Sequence, residues 1–159
     1  MKLERLQLVT SNRPCDVIRY WHEDNQMLLD PPYQRGNVWG VIRQRNLIRS
    51  LIQNIPIPSI IINDRWKAGW DDTLSCVVID GKQRMTTFLQ FFSSELEIPG
   101  EWLGMVGMVT FDDLDLPTQR SFRQMPLAFS EGTLKSLEDE KMVFDLVNFG
   151  GVPQGESDL

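Results

Sequence analysis

The residues best suited to phosphate chemistry are the run Asp80-Gly81-Lys82-Gln83-Arg84. A strand-like run ends here and an amphipathic helical pattern follows, so the run is expected at a helix N-terminus. Unpaired backbone N–H groups and the positive end of the helix dipole favour an anion at such a position. Glycine allows close approach to the backbone, and the side chains that would hold a phosphate are Lys82, Arg84, Thr86 and Thr87. The alternative interpretation is a capped helix with two solvated cations.

The role of Asp80 stays open at this level. A carboxylate at the end of a strand would hold a metal, orient a water or cap the following helix. A Walker-type P-loop, by contrast, is excluded. That motif requires glycine five residues before the glycine of its Gly-Lys pair and Ser or Thr directly after the lysine. Those two positions hold Cys76 and Gln83.

Two further motifs carry polar side chains suited to a ligand. Tyr33-Gln34-Arg35, followed by Trp39, lies in a proline-bounded segment of loop character, and loops often carry function. Arg35 would bind a phosphate or carboxylate in bidentate fashion, Gln34 would read a base edge or position a water, and Tyr33 would stack. Arg35 and Arg84 are 49 positions apart, and we expect them to converge on one anion if the proline-bounded segment folds over the end of the strand. The third motif, Asn148-Phe149-Gly150-Gly151, is by itself typical of a helix C-terminus.

The elements that must position these motifs form an α+β pattern. Apolar residues recur at i, i+3, i+4 and i+7 between Met85 and Phe92, and Val and Ile dominate the strand-like run before Asp80. The sequence predicts helices at 16–22, 41–54, 85–92, 117–124 and 136–148, and strands at 59–63, 73–80, 105–111 and 125–130. Residues 1–151 are expected to form one domain, followed by a loose tail at 152–159.

Composition narrows the classes of protein that remain. With 42% hydrophobic and 24% charged residues in 159, the chain is typical of a globular domain, and no apolar run is long enough to span a membrane. A single histidine excludes a His-rich metal site, and two separated cysteines fit a reducing compartment, so a cytoplasmic protein is expected.

The net charge of −6 is unevenly distributed along the chain. Residues 1–84 carry 12 basic and 9 acidic side chains, whereas residues 85–159 carry 4 and 13. Because duplex binding depends on many contacts between cations and phosphates, this balance disfavours non-specific DNA binding as the main function.

Taken in order along the chain, the motifs resemble those of one family. They are Tyr33-Gln34-Arg35 with Trp39, residues 47–51, residues 55–58, residues 78–87 and residues 144–151. From about Leu29 to the end, the sequence resembles the ParB-like domain that forms the GmrS part of GmrSD-type modification-dependent restriction systems and the N-terminal domain of SspE-like antiphage effectors. The resemblance implies a ParB/sulfiredoxin-like α+β fold, with a small mixed sheet and flanking helices, that binds nucleoside triphosphate.

The resemblance also implies roles by position. Asp80, Gln83 and Arg84 would support hydrolysis, with Mg²⁺ at Asp80. The residues expected to bind the nucleotide and its phosphates are Tyr33, Gln34, Arg35, Trp39, Gly81, Lys82, Thr86 and Asn148.

The sequence departs from the family pattern in two respects. Lys82 stands where the family usually has glutamine, which preserves phosphate binding but changes the expectation for hydrolysis. Longer relatives continue beyond the position of Leu159 into a helical region and often an HNH nuclease domain, so a complete restriction effector is not expected from this chain. The run 80–84 contains no cysteine, and the redox chemistry of sulfiredoxins is therefore not expected either.

Three functions are compatible with these features. The first is a nucleotide-binding module, with hydrolysis of nucleoside triphosphate, related to restriction and phage defence. The second is a non-catalytic regulator or phage-encoded mimic that binds DNA or a protein partner such as a separate nuclease or defence protein. The third is a ParB-like DNA nuclease that uses the same pocket. No membrane partner is expected.

Overall fold

The fold is α+β, as the sequence predicts. A computed structural model describes residues 2–34 and 38–150. In these ranges the strands are β1 (Leu8–Pro14), β2 (Met27–Leu28), β3 (Ile60–Asn63), β4 (Cys76–Asp80), β5 (Ile98–Pro99), β6 (Met108–Val109) and β7 (Pro126–Gly132). The helices are α1 (Asp16–Glu23), α2 (Val41–Ile52), α3 (Lys82–Phe92), α4 (Leu116–Gln124) and α5 (Leu137–Phe149), with 3-10 turns at Gly100–Leu103 and Phe111–Asp113.

Five strands form a mixed sheet in the order β1-β7-β3-β4-β2. The β1–β7 and β3–β4 pairs are antiparallel, and the β3–β7 and β2–β4 pairs are parallel. Strand β4 lies inside the sheet, and its residues Cys76 to Ile79 are all buried. This double-sided burial explains the continuous run of apolar residues before Asp80. Strands β5 and β6 form a separate two-stranded pair.

The core lies on both faces of the sheet. Val78 belongs to the larger cluster, together with Ile18 of α1, Ile48 of α2 and Phe88 of α3. Its neighbour Ile79 belongs to a second cluster with Val143 and Phe144 of α5. Because successive strand residues point to opposite faces, helix α5 covers the face opposite to α1 and α3.

The two-residue strands β2 and β5 were not predicted, and the observed elements differ from the predicted ones at two further places. Strand β1 was not predicted, because its sequence Leu-Val-Thr-Ser-Asn-Arg-Pro is largely polar and none of its residues is fully buried. The strand expected at 105–111 shrinks to Met108–Val109, because Gly104 and Gly107 both adopt positive φ and interrupt an extended backbone. The remaining predicted helices and strands are present with shifted ends.

None of the helices in the described ranges is long and apolar enough to cross a membrane. The tail expected at 152–159 lies outside the described residues.

Candidate functional site

The turn between β4 and α3 is the strand-to-helix junction predicted from the sequence. Asp80 ends the strand, and Gly81, at φ 111°, is the N-cap of α3. The helix begins at Lys82, and the Met85 N–H donates to the Gly81 carbonyl at 2.9 Å. Among the described residues, no side chain caps this helix, so Asp80 does not have the capping role that the sequence left open. Within residues 2–34 and 38–150, the first-turn N–H groups of α3 therefore have no capping side chain as acceptor.

Glycine is required at position 81 for two reasons. Its positive φ is a conformation that residues with a Cβ rarely adopt. A Cβ added there would also lie 3.0 Å from Cγ2 of Ile60 and 3.3 Å from Nη2 of Arg84. The turn is therefore packed directly against the Arg84 guanidinium.

Arg84 is buried, with only 8% of its surface exposed. Its Nη2 donates to Oδ2 of Asp80 at 3.0 Å, and its Nη1 donates to the Pro58 carbonyl at 2.5 Å. Burial lowers the pKa of Arg84, whereas the charge of Asp80 raises it. The interpretation of two solvated cations is therefore wrong for Arg84, which lies beside the turn as a fixed positive charge.

Lys82 is also paired within the chain. Its Nζ contacts Oδ1 of Asp30, and its side chain is about three-quarters buried, whereas the carboxylate of Asp30 is largely exposed. Lys82 is therefore not a freely solvated cation. The pair also joins the start of α3 to the segment that contains Tyr33 and Gln34.

Two residues of the upstream motif, Gln34 and Trp39, make hydrogen bonds to the turn between β4 and α3. Gln34 Nε2 donates to the carbonyl of Ile79 at 3.0 Å, one residue before Asp80. The backbone N–H of Trp39 donates to Oε1 of Gln83 at 3.0 Å. Tertiary structure thus brings together two motifs that are about 45 positions apart. Arg35 lies outside the described residues, so its predicted convergence with the turn stays a prediction.

Gln34 also carries a buried acceptor. Its Oε1 is inaccessible and has no hydrogen-bond partner within residues 2–34 and 38–150. A buried polar atom without a partner costs free energy. A donor from a bound water or ligand would remove this cost, and the atom lies on the residue that contacts the end of β4.

The two threonines of α3 point to different surroundings. Thr87 is buried, and its hydroxyl donates to the carbonyl of Gln83 in the preceding turn at 2.7 Å. Thr86, which was predicted to bind phosphate, lines a cavity of about 320 Å³ between α1 and α3 together with His22. Trp39 stacks under Arg43, whose Cζ lies 4.6 Å from the ring centre.

Helix α5 places the third motif on the same face of the sheet as Tyr33. The Tyr33 ring lies 5.5 Å from the Phe144 ring, centre to centre. Asn148 Nδ2 donates to the carbonyl of Phe144 at 2.9 Å, so its side chain is bound to its own helix. Gly150 ends α5 in the left-handed conformation, as its place in the sequence predicts, and Gly151 lies outside the described residues.

A buried polar network behind Tyr33 was missed by sequence reasoning. Its centre is Glu140, which is fully buried and accepts hydrogen bonds from Arg65, Asn63 and Tyr33. The available signal was positional, since Glu140 lies three and four residues before Val143 and Phe144 on the apolar face of α5.

Metal ligands are sparse around the turn. In the described part of the chain, no three His, Cys, Asp or Glu side chains come together as a metal site. Asp80 is the carboxylate at the turn, and its Oδ2 accepts from Arg84.

Comparison with known families identifies the class of domain. The chain matches the family model described as GmrSD restriction endonuclease, N-terminal domain, over residues 19–124. This is about two-thirds of the sequence and contains both the Tyr33 motif and the turn at Asp80, so the chain belongs to this family. The family links the domain to restriction and phage defence.

No curated protein and no solved structure gives a significant match. The more specific ParB-like fold that the resemblance implies therefore stays a prediction.

Proposed function

We propose that this domain binds a nucleoside triphosphate at the turn between β4 and α3 and hydrolyses it within a restriction system. The observation that carries the proposal is the contact between two distant motifs. Gln34 holds the last carbonyl before Asp80, and Trp39 holds Gln83 in the first turn of α3. A helix N-terminus, a fixed guanidinium and a loop with polar side chains thus surround one turn.

The phosphates would lie at the N-terminus of α3. Backbone N–H groups and the helix dipole favour them there, and Arg84 adds a positive charge directly beside Gly81. Lys82 would exchange Asp30 for a phosphate oxygen. Phosphoryl transfer requires mainly positioning and charge neutralisation, which this arrangement supplies.

The reacting groups would be arranged around Asp80. Mg²⁺ is typically held by one or two carboxylates together with phosphate oxygens and waters, so a single carboxylate at the turn fits a metal that arrives with the nucleotide. When bound, the ion would neutralise charge on the phosphates. Gln34, whose Nε2 donates to the carbonyl of Ile79 next to Asp80, would help to position the attacking water.

Thermal melting with each of the four nucleoside triphosphates, with and without Mg²⁺, tests binding. Ligand at about 100 times its dissociation constant adds about 2.7 kcal/mol to the free energy of unfolding, which corresponds to roughly 5–10 °C for a chain of this size. Phosphate release then tests hydrolysis. Absence of a shift with every nucleotide would overturn the proposal.

One observation favours a second candidate, a non-catalytic regulator that binds a protein partner or DNA. Both cations of the run 80–84 already have carboxylate partners in the chain, Lys82 with Asp30 and Arg84 with Asp80. Nucleotide binding without phosphate release, in Mg²⁺ or Mn²⁺, would support this candidate over the hydrolase. A DNA nuclease at the same turn is less favoured, because the net charge of −6 opposes duplex binding.

A further inference from the structure

We propose that Glu140 of helix α5 is a positioning residue, which holds the Tyr33–Gln34 segment against the turn at Asp80. The inference rests on the proposed function and deepens it. It concerns a helix that follows the family-matched range, which ends at residue 124. The family match therefore gives no role to Glu140, which also lies before the motif at residues 144–151.

Each carboxylate oxygen of Glu140 accepts hydrogen bonds from two donor atoms. Its Oε1 accepts from Nε of Arg65 and Nδ2 of Asn63, both at 2.8 Å. Its Oε2 accepts from Nη2 of Arg65 at 2.7 Å and from the Tyr33 hydroxyl at 3.2 Å. The arginine thus binds the carboxylate in bidentate fashion, which fixes its orientation as well as its charge.

The partners of Glu140 are themselves fixed. Arg65 lies over the Trp70 ring at 4.2 Å, and its Nη1 is 3.7 Å from a carboxylate oxygen of Asp72. The indole N–H of Trp70 donates to the carbonyl of Leu134 at 2.7 Å. Asn63 Nδ2 also donates to the Leu134 carbonyl, at 3.0 Å. Because Arg65 and Asn63 both have further contacts, the carboxylate cannot turn without breaking several of them.

Tyr33 connects this rigid network to the candidate site. Burial and the neighbouring Glu140 raise the pKa of Tyr33, so the phenol keeps its proton and donates to the carboxylate. The next residue, Gln34, donates to Ile79, which precedes Asp80. The hydrogen bond between Tyr33 and Glu140 therefore joins α5 to the segment that contacts the end of β4.

Glu140 is fully buried, so it does not serve to keep a helix face in contact with water. Its burial supports a positioning role instead. A buried ion pair rarely stabilises a fold more than apolar residues of the same volume would. Stability alone therefore does not require these groups here. A fixed acceptor for Tyr33 is what a carboxylate supplies and an apolar residue does not.

Three variants separate positioning from folding. Tyr33→Phe removes only the hydroxyl and keeps the ring on Phe144. Glu140→Gln removes the charge at the centre of the network. Glu138→Gln, at an exposed position on the same helix, is the matched control. Because Glu140→Gln leaves Arg65 buried without its anion, Tyr33→Phe keeps the test decisive if that variant does not fold.

The first measurement is amide hydrogen exchange in the peptide that covers residues 28–34, at a temperature well below melting. Loss of about 1.4 kcal/mol of local stability would make exchange about tenfold faster, and we expect this in Tyr33→Phe and Glu140→Gln but not in Glu138→Gln. Unchanged exchange in Tyr33→Phe would overturn the proposal, whether or not the protein binds nucleotide.

The second measurement is the dissociation constant for the nucleoside triphosphate that stabilises the wild type most. We expect Tyr33→Phe to weaken it about tenfold with a small change in Tm. A purely structural hydrogen bond would lower Tm and leave the dissociation constant unchanged, and this result would refute the positioning role. If the wild type binds no nucleotide, the proposed function fails, and the exchange experiment still decides whether Glu140 holds the segment.

Discussion

Replacement of Asp80 by asparagine tests the energetic role of the pair at the turn. The substitution keeps the shape of the side chain and removes the charge that faces Arg84. The guanidinium is 90% buried and the carboxylate 75% buried, and they are 3.0 Å apart. Arg84 would then keep the Pro58 carbonyl as its other hydrogen-bond acceptor. Because the buried charge of Arg84 would lose its anionic partner, we expect the free energy of unfolding to fall.

The expected magnitude follows from the burial of the pair. Removing one partner of a fully buried ion pair costs about 3–5 kcal/mol, and a hydrogen bond to a charged group contributes about 1.5–3 kcal/mol. Because Asp80 keeps some contact with solvent, we expect about 2–3 kcal/mol. For a chain of this length, that loss lowers Tm by roughly 5–10 °C.

Lys141 and Asp145 provide a matched control on the surface. They form an ion pair with the same i, i+4 spacing at 2.6 Å, in which the carboxylate is 24% exposed, much like that of Asp80, but the cation is 58% exposed. Exposed helix pairs contribute about 0.3–0.5 kcal/mol, so Asp145→Asn should change Tm by only about 1 °C. Circular dichroism melting and urea unfolding of both variants measure the difference directly.

A double-mutant cycle with Arg84→Met identifies the cause. If the pair accounts for the loss, the two substitutions should be coupled by at least about 1 kcal/mol. Equal stabilities of Asp80→Asn and Asp145→Asn, or additive effects in the cycle, would refute the reasoning. Phosphate release by Asp80→Asn at a temperature where it is folded then tests the catalytic role separately.

Three further predictions concern the turn at Gly81, the pair of Asp30 with Lys82 and the cap of α4. Gly81→Ala should destabilise the protein by about 1–3 kcal/mol in urea unfolding, whereas Gly104→Ala, also at positive φ but with open space around its Cβ, should cost less; equal costs would contradict the packing argument. Asp30→Asn should release Lys82 and tighten nucleotide binding about twofold to fivefold in titration calorimetry, and weaker binding would contradict competition between Asp30 and phosphate. Asp115 caps α4. Hydrogen bonds that its carboxylate accepts from the hydroxyl and the backbone N–H of Thr118 lower its pKa below the ordinary 3.8. Its charge therefore stabilises the fold above pH 3.8 and ceases to do so as pH falls through the lowered pKa. Asp115→Asn, which keeps a capping side chain, should flatten acid unfolding in that range, and an unchanged acid transition would contradict this cause.

Local features of the sequence predicted most elements of the fold. The strand before Asp80 and the helix after it follow from continuous apolar burial and from helical spacing, and both signals are contained within a few neighbouring residues. Ser136 accepts from the Asp139 N–H at 3.1 Å and begins α5, as its residue type predicts. Strand β1 was missed because its pairing with β7, and not its own sequence, makes it a strand.

The candidate site was only partly accessible from the sequence. The motif Asp80 to Arg84 and the motif at Tyr33 were found, because glycine, cations and polar loop residues have recognisable local preferences. Their meeting was inferred, and the contacts of Gln34 and Trp39 describe how it occurs. Whether the site is catalytic stays a prediction.

Only tertiary structure decided which charges are solvated and which are held. The sequence predicts Arg84 and Lys82 as phosphate ligands or as solvated cations, but Asp80 and Asp30 pair with them in the fold. Glu140 reads as one of several acidic residues at the start of a helix, yet it is fully buried and bound to Arg65, which is 75 positions away. The sequence determines where charges stand along an element. Their burial and partners depend on contacts between elements far apart in the chain, and no local pattern encodes those contacts.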